Sequence, residues 1–343
     1  MKKIIYLAGS RLPTEKAHGY QIMKMCEAWA RLGLSVELVV PKRRNEIKDD
    51  PFIYYSVDPS FKITRLPCLD LMRLNMVLGI LALWGTEASF FLVSKVYLWR
   101  KSYEVLYSRE QMASLFFRNL VLEIHVLPAW ENIIYKFFLD RSFKLITLTH
   151  CVKDILVKVG IDSQKIFVAP NGVDLEMFEN LPAREKIRRQ LQLPVTAHLV
   201  GYVGKFSTMG ISKGIDILIR SFSFLKNHQN LYLVLVGGLD EEIETFKKMA
   251  YDLNCAEQVI FVSLQPRQKI PLYLKAMDIL VMPSPDLPFY RYYTSPLKLF
   301  EYLAAGVPVV GSNLPALNEI LVDNLNSLLV EPENPKALAS GIE

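Results

Sequence analysis

The stretch KIIYLAGSRLPTEKAHGYQIMKMCEAWARLGLSVELVVP, Lys3 to Pro41, changes its hydrophobic period twice. KIIYLAG is a short apolar run ending in glycine and reads as a buried strand. From Tyr20 to Leu32 apolar residues return at helical spacing until Gly33 closes the run, and SVELVVP is a second apolar strand. Strand, helix and strand make a βαβ unit, and a parallel sheet follows.

The alternation continues outward from this unit. EVLYSR, LVLEIHV, FKLITLT and KIFVAP are further strands, with a helix from Cys151 to Val159 between the last two. It pauses between Asn171 and Pro194, which hold NGVD and a charged helix-like run from Arg184 to Gln192. A boundary there gives domains 1–180 and 181–343. The second half repeats the scheme: HLVGYVG leads to a helix from Gly214 to Lys226, LYLVLVGG to a helix from Glu241 to Asn254, and VIFVSL to KIPLYLKAM, while DILVMPS and VPVVGS are strands. The fold class predicted is α/β, with two doubly wound, Rossmann-like parallel-sheet domains facing across a cleft. Ligands of such folds bind at the carboxyl ends of the strands.

Composition narrows the function. With 343 residues, 51% hydrophobic and 22% charged, the chain can bury two cores. A net charge of +5, from 40 basic and 35 acidic residues, is too small and dispersed to indicate nucleic acid. Cys26, Cys68, Cys151 and Cys255 lie far apart without a CxxC pair, which argues against a zinc site or a disulfide framework and for the cytoplasm. The apolar run in MKKIIYLAGS is too short for a signal peptide, so no export is expected. Leu74 to Trp99 is the most lipid-like segment, but Glu87 and Lys95 interrupt it, and its uncharged piece Leu74 to Thr86 is too short to span a bilayer. Helices packed within a domain, or docked peripherally on the inner face of the membrane, are both open readings.

Two further stretches carry chemistry. GKFSTMGISKG, Gly204 to Gly214, follows a strand, holds three glycines and brings Lys205 and Lys213 to the start of the next helix, a geometry suited to anions. A glycine loop with surface lysines is the plain alternative. TSPLKLFEYLAAGVPVVGSN, Thr294 to Asn313, opens with Ser295 as an N-cap and Pro296 at the first helical position, which makes Lys298 the third helical residue. A cation is disfavoured at the positive end of the helix dipole unless both act on one bound diphosphate. Glu301, an acceptor only, suits ribose hydroxyls; a solvated i,i+3 pair with Lys298 is the bland alternative.

These blocks, together with APNGVD, VLVGG and SRLPTEKAHGYQIMKMCEAWARLG, resemble the retaining glycosyltransferases of family 4, with the GT-B fold, over almost the full length. The resemblance implies an N-terminal acceptor-binding domain and a C-terminal nucleotide-sugar-binding domain. It places Gly204, Lys205, Lys213, Pro296, Leu297 and Lys298 around the diphosphate and makes Glu301 the second glutamate of the family's E-x7-E motif. Where the first glutamate would stand this chain has Tyr293, which puts the donor sugar in question. ALASGIE stops inside a helix-like run, where relatives continue, so a truncated chain is expected.

In the N-terminal half, His125 ends a strand where the family has a histidine near the sugar, and Glu123 points the same way. His18 and Gly19 lie in a loop through which backbone can approach a ligand. Glu319 is open to reading as a cap, a donor contact or a solvated residue. The expected reaction moves a hexosyl group from a UDP- or GDP-linked sugar to a hydroxyl of a glycan or lipid-linked acceptor, with retention. Lys205 and Lys213 stabilise the departing phosphate, and His125 acts beside them. No D-x-D motif occurs, so neither metal nor cofactor is invoked. The alternatives are a non-hydrolysing nucleotide-sugar epimerase of the same fold and a catalytically inactive nucleotide-sugar-binding subunit.

Overall fold

The computed structural model describes residues 2–74, 79–125, 127, 136, 139–208 and 210–343. Residues 75–78 of the lipid-like segment, Val126 after His125 and Met209 of the glycine loop lie outside them. The chain divides into two compact units, one of residues 1–147 and 153–169, the other of residues 148–152 and 170–343.

In the first unit β1 (Lys3–Leu7), α1 (Ala17–Arg31), β2 (Ser35–Lys42), α2 (Pro51–Tyr55), β3 (Lys62–Pro67), α3 (Ile80–Leu98), β4 (Val105–Ser108), α4 (Ala113–Phe116), β5 (Leu120–Ile124), β6 (Lys144–Thr147) and β7 (Ile166–Val168) build a parallel sheet. Its order is β3-β2-β1-β4-β5-β6-β7, and α5 (His150–Lys158) lies between β6 and β7 in sequence. Strands at the centre are covered on both faces, which is why IIYL and LVV are unbroken apolar runs. β3 escaped the sequence reading because KITRLP, at the sheet's edge, mixes polar and apolar residues without a regular period and is largely exposed. α1 starts at Ala17, three residues before the predicted Tyr20.

Of the lipid-like segment, Ile80–Leu98 form the single helix α3. It buries Ala82, Thr86, Phe90, Phe91, Ser94 and Leu98. No helix among the described residues is long and apolar enough to cross a membrane. Glu37 of β2 anchors the end of α3: its carboxylate accepts from Tyr97 Oη at 2.5 Å, from Lys101 Nζ at 2.9 Å and from Thr64 Oγ1 of β3 at 2.7 Å.

The second unit holds α6 (Arg184–Gln190), β8 (His198–Val203), the hairpin β9 (Ser207–Thr208) and β10 (Ile211–Ser212), α7 (Ile215–Phe222), β11 (Leu231–Gly238), α8 (Asp240–Asp252), β12 (Val259–Ser263), α9 (Ile270–Ala276), β13 (Ile279–Met282), α10 (Leu297–Ala304), β14 (Val309–Ser312), α11 (Pro315–Asn318), β15 (Leu328–Val330) and α12 (Pro335–Ile342). Its parallel sheet runs β12-β11-β8-β13-β14-β15, with β8 at the switch point where chain order reverses. Alternate residues of β11 enter the two cores: Leu233 and Leu235 pack with Ile215 and Phe222 on one side, Val234 and Val236 with Leu299 and Tyr302 on the other. Each such side chain withdraws about 1.5–3 kcal/mol of apolar surface from water.

Residues 170–180, assigned to the first domain from sequence, go with the second unit. Asn171 explains this, since its backbone N–H donates to Ser295 Oγ at 3.0 Å and its amide to the Ser295 carbonyl. Glu319 is spent as a cap, accepting the backbone N–H groups of His150 and Cys151 at 2.7 and 2.9 Å.

Glu37 generates a stability prediction. Its three donors hold the carboxyl down at about 2 against burial, from an ordinary 4.5. Because the folded value is depressed, the stabilisation is complete above pH 4.5 and is lost as the pH falls towards 2. Glu37→Gln is expected to cost about 2 kcal/mol at neutral pH, and the native-minus-variant difference should shrink between pH 4.5 and 2 in urea melts. A difference that does not change with pH would refute this origin.

Candidate active site

The site in the second unit is built where β8 hands the chain to the glycine loop. Gly204 has φ +146°, and a Cβ there would lie 3.0 Å from Lys298 Nζ. Gly237, φ +112°, lets the end of β11 approach the Gly204 carbonyl, which a Cβ would meet at 2.6 Å. The loop then folds back as the β9–β10 hairpin, and Lys213 N donates to Phe206 O at 2.9 Å.

Lys298 reaches this loop from α10. Tyr302, one turn further along α10, fixes the helix against β8: its hydroxyl accepts Val203 N at 2.8 Å and donates to Val203 O at 3.1 Å. Lys298 Nζ then lies 4.0 Å from the centroid of the buried Tyr202 ring and donates to the Tyr202 hydroxyl, which itself donates to the Lys205 carbonyl at 2.9 Å. One phenol therefore joins the lysine of α10 to the backbone of the lysine loop. Burial first, and Lys213 second, push the Lys298 ammonium well below its ordinary range. Lys213 is lowered by burial and then by Lys205. Lys213 and Lys298 are thus each made less stable as a cation by burial and by a neighbouring lysine.

The helix start differs from the expectation. Pro296, φ −73° and ψ 129°, is the N-cap, Leu297 opens the helix, and Lys298 is the second helical residue. Ser295 cannot cap because its hydroxyl is occupied in accepting Asn171 N, and it lies one residue too early. The solvated Lys298–Glu301 pair is also corrected. Glu301 is buried and bonded to Arg267, from the turn after β12, while Lys298 turns to Tyr202. Tyr293 ends a π-helical turn, Phe289–Tyr293, and is half-buried; that turn is braced by the Arg291–Asp286 pair at 2.7 and 2.5 Å and by Thr149 Oγ1 donating to Tyr292 O at 2.7 Å.

In the first unit the structure brings Glu123 and His125 together at the carboxyl end of β5. Glu123, buried, bonds His125 Nε2 through one oxygen and accepts the Tyr107 hydroxyl through the other, so the imidazole is oriented through Nε2. Its carboxyl is lowered because the bonds from His125 and Tyr107 outweigh burial. Burial lowers His125, and it lowers His18 further, to about 4, with Arg109 adding to both. Gly19 does not open a path for a ligand. It lies inside α1, and the space of its missing side chain is filled by the Tyr55 hydroxyl and Thr14, so its role is packing.

Tyr202, Arg267 and Arg109 went unseen in the sequence. Tyr202 reads as one more apolar strand residue in HLVGYVG, and Arg267 as a surface cation in a turn. The one available signal is that Tyr202 stands two residues before Gly204, at the strand end that carries the loop.

Two Rossmann-like parallel-sheet units with a cationic loop at the switch point of the second define the GT-B class of fold. Residues 183–343 match the family described as glycosyl transferases group 1. Among curated proteins the chain is 28% identical over 207 residues to an uncharacterized glycosyltransferase of Methanocaldococcus jannaschii, covering 59% of this chain and 50% of that one. It is 30% identical over 192 residues to a D-inositol 3-phosphate glycosyltransferase of Acidothermus cellulolyticus, covering 53% and 41%. The chain thus spans about half the length of these relatives, or less. Among solved structures, HepE of Anabaena in complex with UDP superposes with a TM-score of 0.70 at 18% identity, over 100% of this chain and 89% of that one. A glycosyltransferase from Rickettsia africae gives 0.73 at 16% identity, over 99% and 87%.

The lysine cluster makes a prediction that needs no substrate. A depressed lysine costs stability below its unfolded value, and the cost is relieved as pH rises towards 10.5. Lys298→Met should therefore raise the Tm of the ligand-free protein by about 2–4 °C at neutral pH, and abolish the rise that inorganic pyrophosphate gives the native protein. A variant still stabilised by pyrophosphate would mean the anion binds elsewhere.

Proposed function

We propose that the chain is a retaining, metal-independent glycosyltransferase that moves a hexosyl group from a nucleotide diphosphate sugar to a hydroxyl of a glycan or lipid-linked acceptor. The observation that carries this reading is the cluster of Lys205, Lys213 and Lys298 at the switch point of the family-matched unit. A diphosphate is the ligand that would relieve the strain of Lys213 and Lys298, and the HepE structures with UDP and UDP-glucose support a nucleotide sugar as its source.

In this account the second unit binds the donor. Lys213 and Lys298 hold the diphosphate, Lys205 meets it from the loop, and Gly204 gives backbone room. Charge grows on the departing phosphate as the glycosidic bond breaks, and cations already in place need little reorganisation to stabilise it. Glu301, steadied by Arg267, presents its carboxylate to the ribose hydroxyls, while Pro296 and Leu297 set the N–H groups of the helix start. Tyr293 faces the sugar. The first unit takes the acceptor, with His125 oriented by Glu123 and His18 nearby; the place of action is the cytoplasm. The engagement of Glu301 by Arg267 favours, as a second reading, a subunit that binds donor without transferring it.

Lys213→Ala and Lys298→Ala should each lose about 1.5–3 kcal/mol of UDP affinity in titration calorimetry, with uridine affected much less, and transfer from UDP-glucose should fall in parallel. Unchanged UDP affinity in both would remove the diphosphate site. Native binding of UDP-glucose with no turnover on any acceptor would favour the binding subunit. Tyr293→Glu should change the ratio of kcat/KM among donor sugars more than the Kd of UDP, because a carboxylate accepts two hydroxyls where a phenol offers one bond. An unchanged ratio places Tyr293 outside the sugar site.

A further inference from the structure

α3 carries an outward stripe that the transferase reading does not use. At 3.6 residues per turn Leu81, Trp84, Ala88, Leu92, Val96 and Trp99 fall along one side, opposite the buried Phe90 and Ser94. Leu92 is 55% exposed, Val96 73% and Trp99 85%. Glu87, which breaks the apolar run in the sequence, lies off this stripe on the inward side, where burial and then Glu110 raise its carboxyl to about 7. The stripe is therefore uncharged from Leu81 to Leu92, and Lys95 is the first charge on it.

Beside the end that carries Lys95 lies a recess of about 520 Å³. Lys95, Arg118 and Arg141 supply three cations to its lining, and Leu115 and Phe116 give it an apolar part. No Asp or Glu is among the described residues that line it. Tyr103, Asn119 and Arg141, also of the lining, precede β4, β5 and β6. The recess thus opens at the amino ends of these strands, away from Glu123 and His125 at the carboxyl end of β5.

We propose that the α3 stripe and this recess form one docking face for an anionic phospholipid bilayer, with lipid phosphates in the recess and Leu92, Val96 and Trp99 in the interfacial region. A phospholipid surface supplies both chemistries side by side, phosphate and hydrocarbon, at the spacing of one lipid. A free phosphate compound would occupy the recess and leave the stripe in water. A second copy would cover the stripe but bring three more cations and no counter-charge. Tryptophan at the stripe's end suits the headgroup level, and Lys95 can lay its methylenes on the apolar side while its ammonium reaches phosphate. This inference does not depend on the transferase reading.

The test is flotation of the full chain with vesicles of phosphatidylcholine, with and without phosphatidylglycerol, beside the thermal melting of each variant as a control of folding. The native chain should float with the phosphatidylglycerol vesicles and scarcely with the others. Lys95→Ala with Arg118→Ala should weaken partitioning roughly 10- to 30-fold at low salt, since each cation near an anionic surface counts for about one RT-scale step or more. Val96→Ser with Trp99→Ser should also weaken it, and should leave the remainder fully releasable by salt. Unchanged partitioning of either double variant, with its melting temperature intact, overturns the proposal. So does a lipid-free dimer in sedimentation velocity that the Val96, Trp99 variant dissociates, which would assign the stripe to a second copy. Full displacement by soluble glycerol phosphate, with the Val96, Trp99 variant floating like the native chain, would assign the recess to a free phosphate and overturn it as well.

Discussion

The ammonium group of Lys298 stands near the amino end of a helix, over an aromatic ring, in the field of Lys213. Burial opposes its charge most, the neighbouring cation and the helix dipole oppose it further, and the Tyr202 ring and hydroxyl favour it. Such an arrangement persists only if the surrounding fold over-determines it. Tyr302 does so by gripping both the N–H and the C=O of Val203, so that α10 cannot turn away from β8. The glycines at 204 and 237 do so by letting two strand ends and the lysine come closer than any side chain would permit.

From this one group the rest of the second unit follows. β8 sits at the switch point of the sheet, where the strands on either side lead away in opposite order, and the loop after it has room to fold back as a hairpin. Gly214, φ +84°, allows α7 to start against the Pro283 carbonyl, where a Cβ would overlap. Asn171 and Arg267 clamp the approaches, one on Ser295 and the other on Glu301. The site is thus held by hydrogen bonds to backbone and by buried apolar faces, and its cations are left to an anionic partner. This is preorganisation of the kind that favours a charge developing in a transition state.

Much of this was legible in the sequence, for reasons that can be named. Strands buried on both faces leave unbroken apolar runs, so β1, β8 and β11 declared themselves, whereas the edge strand β3, with Lys62, Thr64 and Arg65, did not. Lys205, Lys213 and Lys298 were visible because glycine, strand and helix signals bracket them. Their partner Tyr202 was hidden, since an aromatic in a strand is ordinarily core, and here it is core with a hydroxyl aimed at the loop. The cap at Ser295 was misread because a serine before proline has two uses, and the choice between them was made by Asn171, 124 residues away in sequence. Glu87 broke the linear apolar run as read, and what only the helix shows is that it lies on the inward side of α3, off the exposed stripe.

The central claim is that the Lys298 ammonium is held in a strained electrostatic state that a diphosphate relieves. Its most direct test is to follow the side-chain ammonium of Lys298 by NMR in isotope-labelled protein as pH is raised, with and without UDP. The account predicts a Lys298 titration below the ordinary lysine range in the free protein that moves upward on UDP binding, with matching proton uptake at a pH between the two values. A Lys298 that titrates at the same pH in both states would contradict it.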